Sequence, residues 1–180
     1  MTLVLCTSSP VVSVALFKSD QQVTHRSMDS RESGSTASGI LVNLVRSVLS
    51  EANVSLGDLT QIAVDSGPGG FTSTRVGVTF AKTLAWTLGV NAVPVTSFDL
   101  VDPEMTVCLP SKKGWVYRRV PGQAIEAIPS ECMAEAVPSA RNYEKLVRLG
   151  RTSPIDPRLI VPNYVAEPSI SKPKNARVCP

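Results

Sequence analysis

Residues 65–77 read Asp-Ser-Gly-Pro-Gly-Gly-Phe-Thr-Ser-Thr-Arg-Val-Gly and carry the sharpest chemical signal in the chain. Gly67, Pro68, Gly69 and Gly70 separate a short apolar run, Gln61–Asp65, from a stretch with helical spacing. A glycine-rich turn that opens a helix points backbone N–H groups outward, and the helix dipole favours an anion there, so phosphate is a chemical option. The pattern is neither GxxxxGK[ST] nor GxGxxG, the spacings tied to nucleotide phosphates. The same glycines with Pro68 also make a tight strand-to-helix turn that holds no ligand, and on generic grounds that plainer reading is preferred. Phe71, Thr72 and Arg75 belong to the same turn and to the start of the helix, with Thr72 the expected N-cap.

Other chemistry has less support. Asp65, Asp99 and Asp102 are conceivable acid–base partners. Asp65, however, ends a strand before a glycine turn, where Asp commonly bonds to the backbone two residues on. His25 is the only histidine; in the polar run QVTHRS it reads as a surface or structural residue. One histidine cannot build a His/Cys metal set, and no GxSxG elbow offers a nucleophile. The sequence therefore assigns no catalytic residue, no metal ligand and no cofactor.

The elements that position the turn follow from periodicity. Residues 2–6, 11–17 and 22–27 read as three strands of a β-meander, with Thr7-Ser8-Ser9-Pro10 turning between the first two. Ile40, Leu41, Leu44, Val45, Val48, Leu49 and Ala52 recur at helical spacing, which predicts a helix over 38–52 preceded by a polar loop. A strand over 61–65, the glycine turn, a helix over 74–88 ended by Gly89 and a strand over 92–95 form a βαβ unit. A short turn or helix follows over 97–101. A meander continued by such a unit predicts an α/β layered fold with a mixed sheet. Strands are expected over 105–109, 114–120 and 123–128, and a short helix over 139–149. Prolines at 154, 157, 162, 168, 173 and 180 then forbid long helices and central strands. The chain divides accordingly into residues 1–102, a reduced second part over 103–165 and an extended or disordered tail over 166–180.

With 180 residues and 43% hydrophobic content the chain can bury a real core. A formal net charge of +3, scattered apart from Lys112-Lys113 and Arg118-Arg119, does not argue for nucleic-acid binding by itself. The four cysteines form no CxxC pair, and Cys6 and Cys108 lie in apolar runs, which fits a reducing compartment. The opening residues lack a basic region before their apolar run, and no run approaches the roughly 18 apolar residues of a membrane span, so a cytoplasmic protein is expected.

The two long helices offer a second kind of function. In the first, Ile40, Leu41, Leu44, Val45 and Val48 make a band two residues wide, of which one half can face the sheet and the other half a partner. In the second, Gly77, Ala81 and Ala85 recur every fourth residue. This small-residue stripe is expected to admit a partner helix, while Phe80, Leu84 and Leu88 pack on the sheet. A helix apolar on more than one face needs cover on more than one side, and each large side chain covered by a partner contributes roughly 1.5–3 kcal/mol.

The segment GPGGFTSTRVGVTFAKTLA resembles the GPGSFTGLRxGxxxAKGLA segment of the TsaB (YeaZ) family, actin-like (ASKHA) proteins of tRNA threonylcarbamoyladenosine synthesis. Further stretches agree in order: LVLCTSSPVVSVAL with the family's ILAIDTSTxxxSVAL, VPVTSFDLV with VSSLEAL, SKKGWVYRR with DARRGEVYxA, and PNYVAEP with PxYLR. The resemblance implies an actin-like, RNase H-like N-terminal domain with a shortened C-terminal α/β part. It implies docking of helices 38–52 and 74–88 on the equivalent helices of TsaD, self-association through the same face, and a surface for TsaE. Contact with tRNA would be indirect. Cys6 departs from the pattern, because the family has Asp there and a thiol does not replace a carboxylate as a Mg²⁺ ligand. Glu32-Ser33-Gly34-Ser35-Thr36 also lacks the family's usual HSE entry to the first helix. With a second part this short, the sequence argues against ATP binding by this chain alone. The expectation is a non-catalytic scaffold subunit; the alternative is a small nucleotide-binding actin-like enzyme, of kinase or phosphatase type, that uses the glycine turn.

Overall fold

Strand β1 (Thr2–Cys6) is buried at every position, which explains why its sequence runs apolar instead of alternating. It is the middle strand of a five-stranded sheet with β2 (Val11–Lys18), β3 (Gln21–Asp29), β4 (Gln61–Asp65) and β5 (Asn91–Val95), ordered β3-β2-β1-β4-β5. β1 pairs antiparallel with β2, and β2 with β3, as hairpin connections require. β1–β4 and β4–β5 are parallel and carry helical crossovers. The register sets Leu3 opposite Leu16 on one side and Ile62 on the other. The computed structural model describes residues 1–132 and 154–165; the expected helix over 139–149 and the tail over 166–180 lie outside them.

Both faces of the sheet are covered. On one face Leu3, Leu5, Val14, Leu16, Ile62 and Val64 pack with the apolar residues of α2 (Ala37–Glu51) and α3 (Phe71–Leu88). On the other, Val4, Cys6, Ala15, Phe17, Ala63, Val93 and Val95 cluster with Leu100 of α4 (Ser97–Val101). Cys6 is fully buried there, and its thiol packs as a small apolar side chain.

Local signals fix the helix ends. Thr36 caps α2, its side chain accepting from Gly39 N. The polar segment before it contains a short helix, α1 (Ser30–Ser33), capped by Asp29 and closed by Gly34 at φ +62°. α3 starts at Phe71 with Gly70 as its N-cap, so the expected start at 74 with Thr72 as cap is corrected. The Thr74 N–H already bonds to the Gly70 carbonyl, which extends the helix one turn into the glycine segment.

A second, three-stranded antiparallel sheet follows: β6 (Val107–Pro110), β7 (Trp115–Arg119) and β8 (Glu126–Pro129). Phe98 of α4, Val107 and Leu109 form the small cluster that seats it. The proline-bearing residues 154–165 dock along the first unit. Ile155 bridges Ala92 at the β5 edge, and Ile160 enters the α2–α3 core. Pro157 starts a single 3₁₀ turn capped by Asp156, and the prolines before and after it keep the segment extended.

Candidate functional site

The glycine turn is held from three directions. From the β1–β2 loop, the Ser8 carbonyl accepts from Gly70 N at 2.9 Å. From the start of α4, Ser97 N donates to the Gly67 carbonyl at 2.7 Å. From the docked segment, Asn163 N donates to the Ser66 carbonyl at 2.7 Å. Asp65 lies beneath the turn, fully buried. It accepts from Gly67 N at 2.9 Å and from Ser97 Oγ at 2.6 Å, and Ser8 Oγ donates to its other oxygen. This is the turn-closing role expected of Asp65. Asp99 has a similarly structural place, accepting from Thr96 Oγ1 and pairing with Arg119 at 2.6 Å.

Two of the glycines are set by space. Gly67 has φ +96°, and a Cβ on Gly69 would lie 2.0 Å from the Ser8 carbonyl oxygen. Such close approach of backbone to backbone needs glycine.

Pro68, Gly69, Gly70 and Phe71 face a cleft of about 410 Å³ between the turn, the β6–β7 hairpin and residues 163–165. Phe71 packs on Tyr164 with centroids 5.1 Å apart and ring planes tilted by 35°, and the Arg75 guanidinium lies over the Phe71 ring, 5.1 Å from its centroid. Thr72 and Arg75 do not enter this cleft. They line a separate apolar groove between α2 and α3, together with Leu41, Val42, Val76 and Phe80.

The faces of the two helices are the reverse of the sequence expectation. Gly77, Ala81 and Ala85 are buried against the sheet, and a Cβ on Gly77 would come within 2.2 Å of Thr7 Oγ1. The small stripe is small because α3 approaches β1 and its loop closely. Phe80, Leu84 and Leu88, expected on the sheet, flank that core and are only partly buried. In α2, Ile40, Leu41, Leu44, Val45 and Val48 all enter this chain's own core, so neither half of the band stands free. Of these, Leu41 also borders the α2–α3 groove, whereas Ile40 and Leu44 border a smaller depression beside Met28 and Thr36. The open positions are the neighbours of the expected ones: Val42, Thr72, Val76, Thr79, Phe80 and Thr83. Periodicity gave no sign of Val42 and Thr79, because each lies beside an apolar stripe and not in it.

His25 sits on β3, where partial burial first and the neighbouring Arg26 second push its pKa below the ordinary value. Among the described residues no group of three or more His, Cys, Asp and Glu side chains is gathered as a metal set. No helix among them is long and apolar enough to cross a membrane.

The family model described as "TsaD: tRNA N6-adenosine threonylcarbamoyltransferase" matches residues 33–102, which contain α2, β4, the glycine turn and α3. The tRNA threonylcarbamoyladenosine biosynthesis protein TsaB of Bacillus subtilis is 44% identical over 55 residues, covering 31% of this chain and 24% of that protein. The tRNA N6-adenosine threonylcarbamoyltransferase of Pyrobaculum calidifontis is 41% identical over 70 residues, covering 39% of this chain and 21% of that protein. The matched stretch thus spans about a quarter or less of these curated relatives. YeaZ from Pseudomonas aeruginosa superposes with TM-score 0.73 at 19% identity, over 90% of this chain and 99% of that one. A second structure, described as an uncharacterized protein with similarity to peptidase YEAZ from Pseudomonas aeruginosa, superposes with TM-score 0.76 at 19% identity.

The mixed five-stranded sheet with its βαβ unit is therefore an α/β fold shared with YeaZ. In sequence, residues 33–102 match the TsaD family model, and parts of the chain are similar to TsaB and to tRNA N6-adenosine threonylcarbamoyltransferases.

Proposed function

We propose that this chain is a non-catalytic accessory subunit in the synthesis of threonylcarbamoyladenosine in tRNA. It holds a TsaD-type partner through the α2–α3 face and contributes to the surface that receives TsaE. The observation that carries this reading is the apolar groove between α2 and α3, lined by Leu41, Val42, Val76 and Phe80. It lies wholly inside residues 33–102, the stretch matched by the TsaD family model. Related helices that present like faces can pair about a pseudo-twofold axis, as a self-complementary interface does. The same geometry would serve a homodimer when the partner is absent. Val42 is 36% exposed, and its burial by a partner helix would add to the drive for association in proportion to apolar area.

The test is size-exclusion chromatography with light scattering on the chain alone and mixed with TsaD from the same organism. The wild type is expected to form a heterodimer. Val42→Arg and Thr79→Arg, both at open positions, are expected to abolish it while circular dichroism stays unchanged. A mixture that elutes as two separate species, or a heterodimer that survives both substitutions, refutes the docking face. Ala81→Arg is the wrong probe, because Ala81 is fully buried in this chain's own core.

A further inference from the structure

We infer that the partner seated on the α2–α3 face is an acidic helix, with carboxylates flanking the apolar ridge that enters the groove. The inference rests on the docking reading above and adds the chemistry of the partner. It follows from charge. Arg46 and Glu51 are the charged residues of α2, and Glu51 is taken up by Arg26 at 2.9 Å. Arg75 and Lys82 are those of α3, which has no acidic residue among its 18. Arg46 lies one turn on from Val42 and so on the same side of α2. Arg75 lines the groove itself. Arg75, Thr79, Lys82 and Trp86 follow at i, i+4, i+7 and i+11, which makes one stripe along α3, and Trp86 at its end is 60% exposed.

These cations have no carboxylate to answer them. Among the described residues no acidic side chain lines the groove, and none forms a salt bridge with Arg46, Arg75 or Lys82. Arg75 lies over the Phe71 ring, a contact that leaves its charge uncompensated. Asp156 is near enough to Lys82 to feel its charge, but it is paired with Arg158 at 2.6 Å, and that pair is neutral. A partner that covers the groove takes water from Arg46 and Arg75, and a cation that loses water without gaining a counter-charge is costly. Carboxylates beside the partner's apolar ridge offset that cost and steer the encounter. A second copy of this chain matches groove to groove but sets the same cations against each other, so it is the weaker occupant.

The two occupants respond to salt in opposite directions, because screening weakens attraction and repulsion alike. Dissociation constants are measured by sedimentation equilibrium on the full chain, alone and with TsaD from the same organism, at about 50 and about 500 mM NaCl. The heterodimer is expected to weaken roughly ten-fold over that range, whereas the chain alone stays monomeric or self-associates more tightly as salt rises. Arg46→Glu and Arg75→Glu, both at exposed helix positions, are each expected to weaken the heterodimer roughly ten-fold at low salt, and less at high salt, with unchanged circular dichroism. A heterodimer whose affinity is indifferent to salt and to both reversals overturns the acidic partner and leaves the docking face in place. Self-association that weakens with salt as the heterodimer does overturns the exclusion of a second copy. No heterodimer at either salt overturns the docking face and this inference with it. If one variant fails to fold, the other decides together with the salt series on the wild type.

Discussion

A Cβ on Gly69 would lie 2.0 Å from the carbonyl oxygen of Ser8 and 2.6 Å from its Cβ. The turn after β4 and the loop after β1 therefore meet backbone to backbone, and the contact is closed by the 2.9 Å hydrogen bond from Gly70 N to that same carbonyl. Gly69→Ala must push the two loops apart and break this bond. Overpacking of this kind costs about 1–3 kcal/mol, and urea denaturation should show that loss. Gly39, in the first turn of α2, is the contrast. Its added Cβ would sit 3.6 Å from Thr36 Oγ1, an ordinary contact. Gly39→Ala should raise stability by about 0.5–1 kcal/mol, since alanine loses less chain entropy in a helix.

Asp65 is the polar counterpart of that contact. Its two oxygens together accept from Ser8 Oγ, Ser97 Oγ and Gly67 N, tying the first loop, the second loop and the start of α4 to one carboxylate. In Asp65→Asn one oxygen becomes an NH₂ group, which faces a donor instead of accepting from it. The cost of a buried donor left without its acceptor is about 1–3 kcal/mol. A fall in the denaturation midpoint with unchanged slope would show that stability changed without altering how much surface unfolds.

Asp29 predicts a pH dependence. Its carboxylate caps α1 and is paired with Arg31, and the Arg31 side-chain and backbone hydrogen bonds hold its pKa at about 2, below the ordinary 3.8. The folded state thus binds its proton more weakly than the unfolded state. The contribution is fully present above the unfolded value and is lost as pH falls toward the folded one. Asp29→Asn should lower stability at neutral pH, and the gap to wild type should close between about pH 4 and pH 2. A carboxyl-shift titration by NMR should place the Asp29 midpoint near 2.

The β-meander, the βαβ unit and the glycine turn were legible because each rests on local signals: apolar runs bounded by turn residues, one helical period and a Gly-Pro-Gly-Gly break. Which stripe of α3 faces the sheet was not legible. Periodicity shows that Gly77, Ala81 and Ala85 share a face and that Phe80, Leu84 and Leu88 share another. It does not show that β1 and Thr7 come so close that only the small face fits. That distance is a property of the packed sheet. The α3 start was misplaced for a related reason: the Ser8 carbonyl holds Gly70 where it can cap the helix, and Ser8 is far away in sequence. The aromatic cleft was equally hidden, since Phe71, Trp115 and Tyr164 come from three distant segments.

The division between core and docking face can be measured directly at two adjacent residues. Leu41 is fully buried among the core residues of α2 and α3, and Val42, the next residue, is 36% exposed on the groove. Leu41→Ala removes buried methyl groups and leaves a cavity, at a cost of about 2–5 kcal/mol. Val42→Ala should change the stability of the isolated chain by no more than about 0.5 kcal/mol. If the groove is the proposed docking face, the order of effects should change with a partner bound: Val42→Ala should weaken association, because the side chain it truncates would meet the partner and not the sheet. Comparable destabilisation of the isolated chain by both substitutions would mean that Val42 is already covered by this chain, and the groove would not be open for a partner. A stable Val42→Ala with reduced heterodimer affinity would assign the groove to the interface, one residue away from where periodicity placed it.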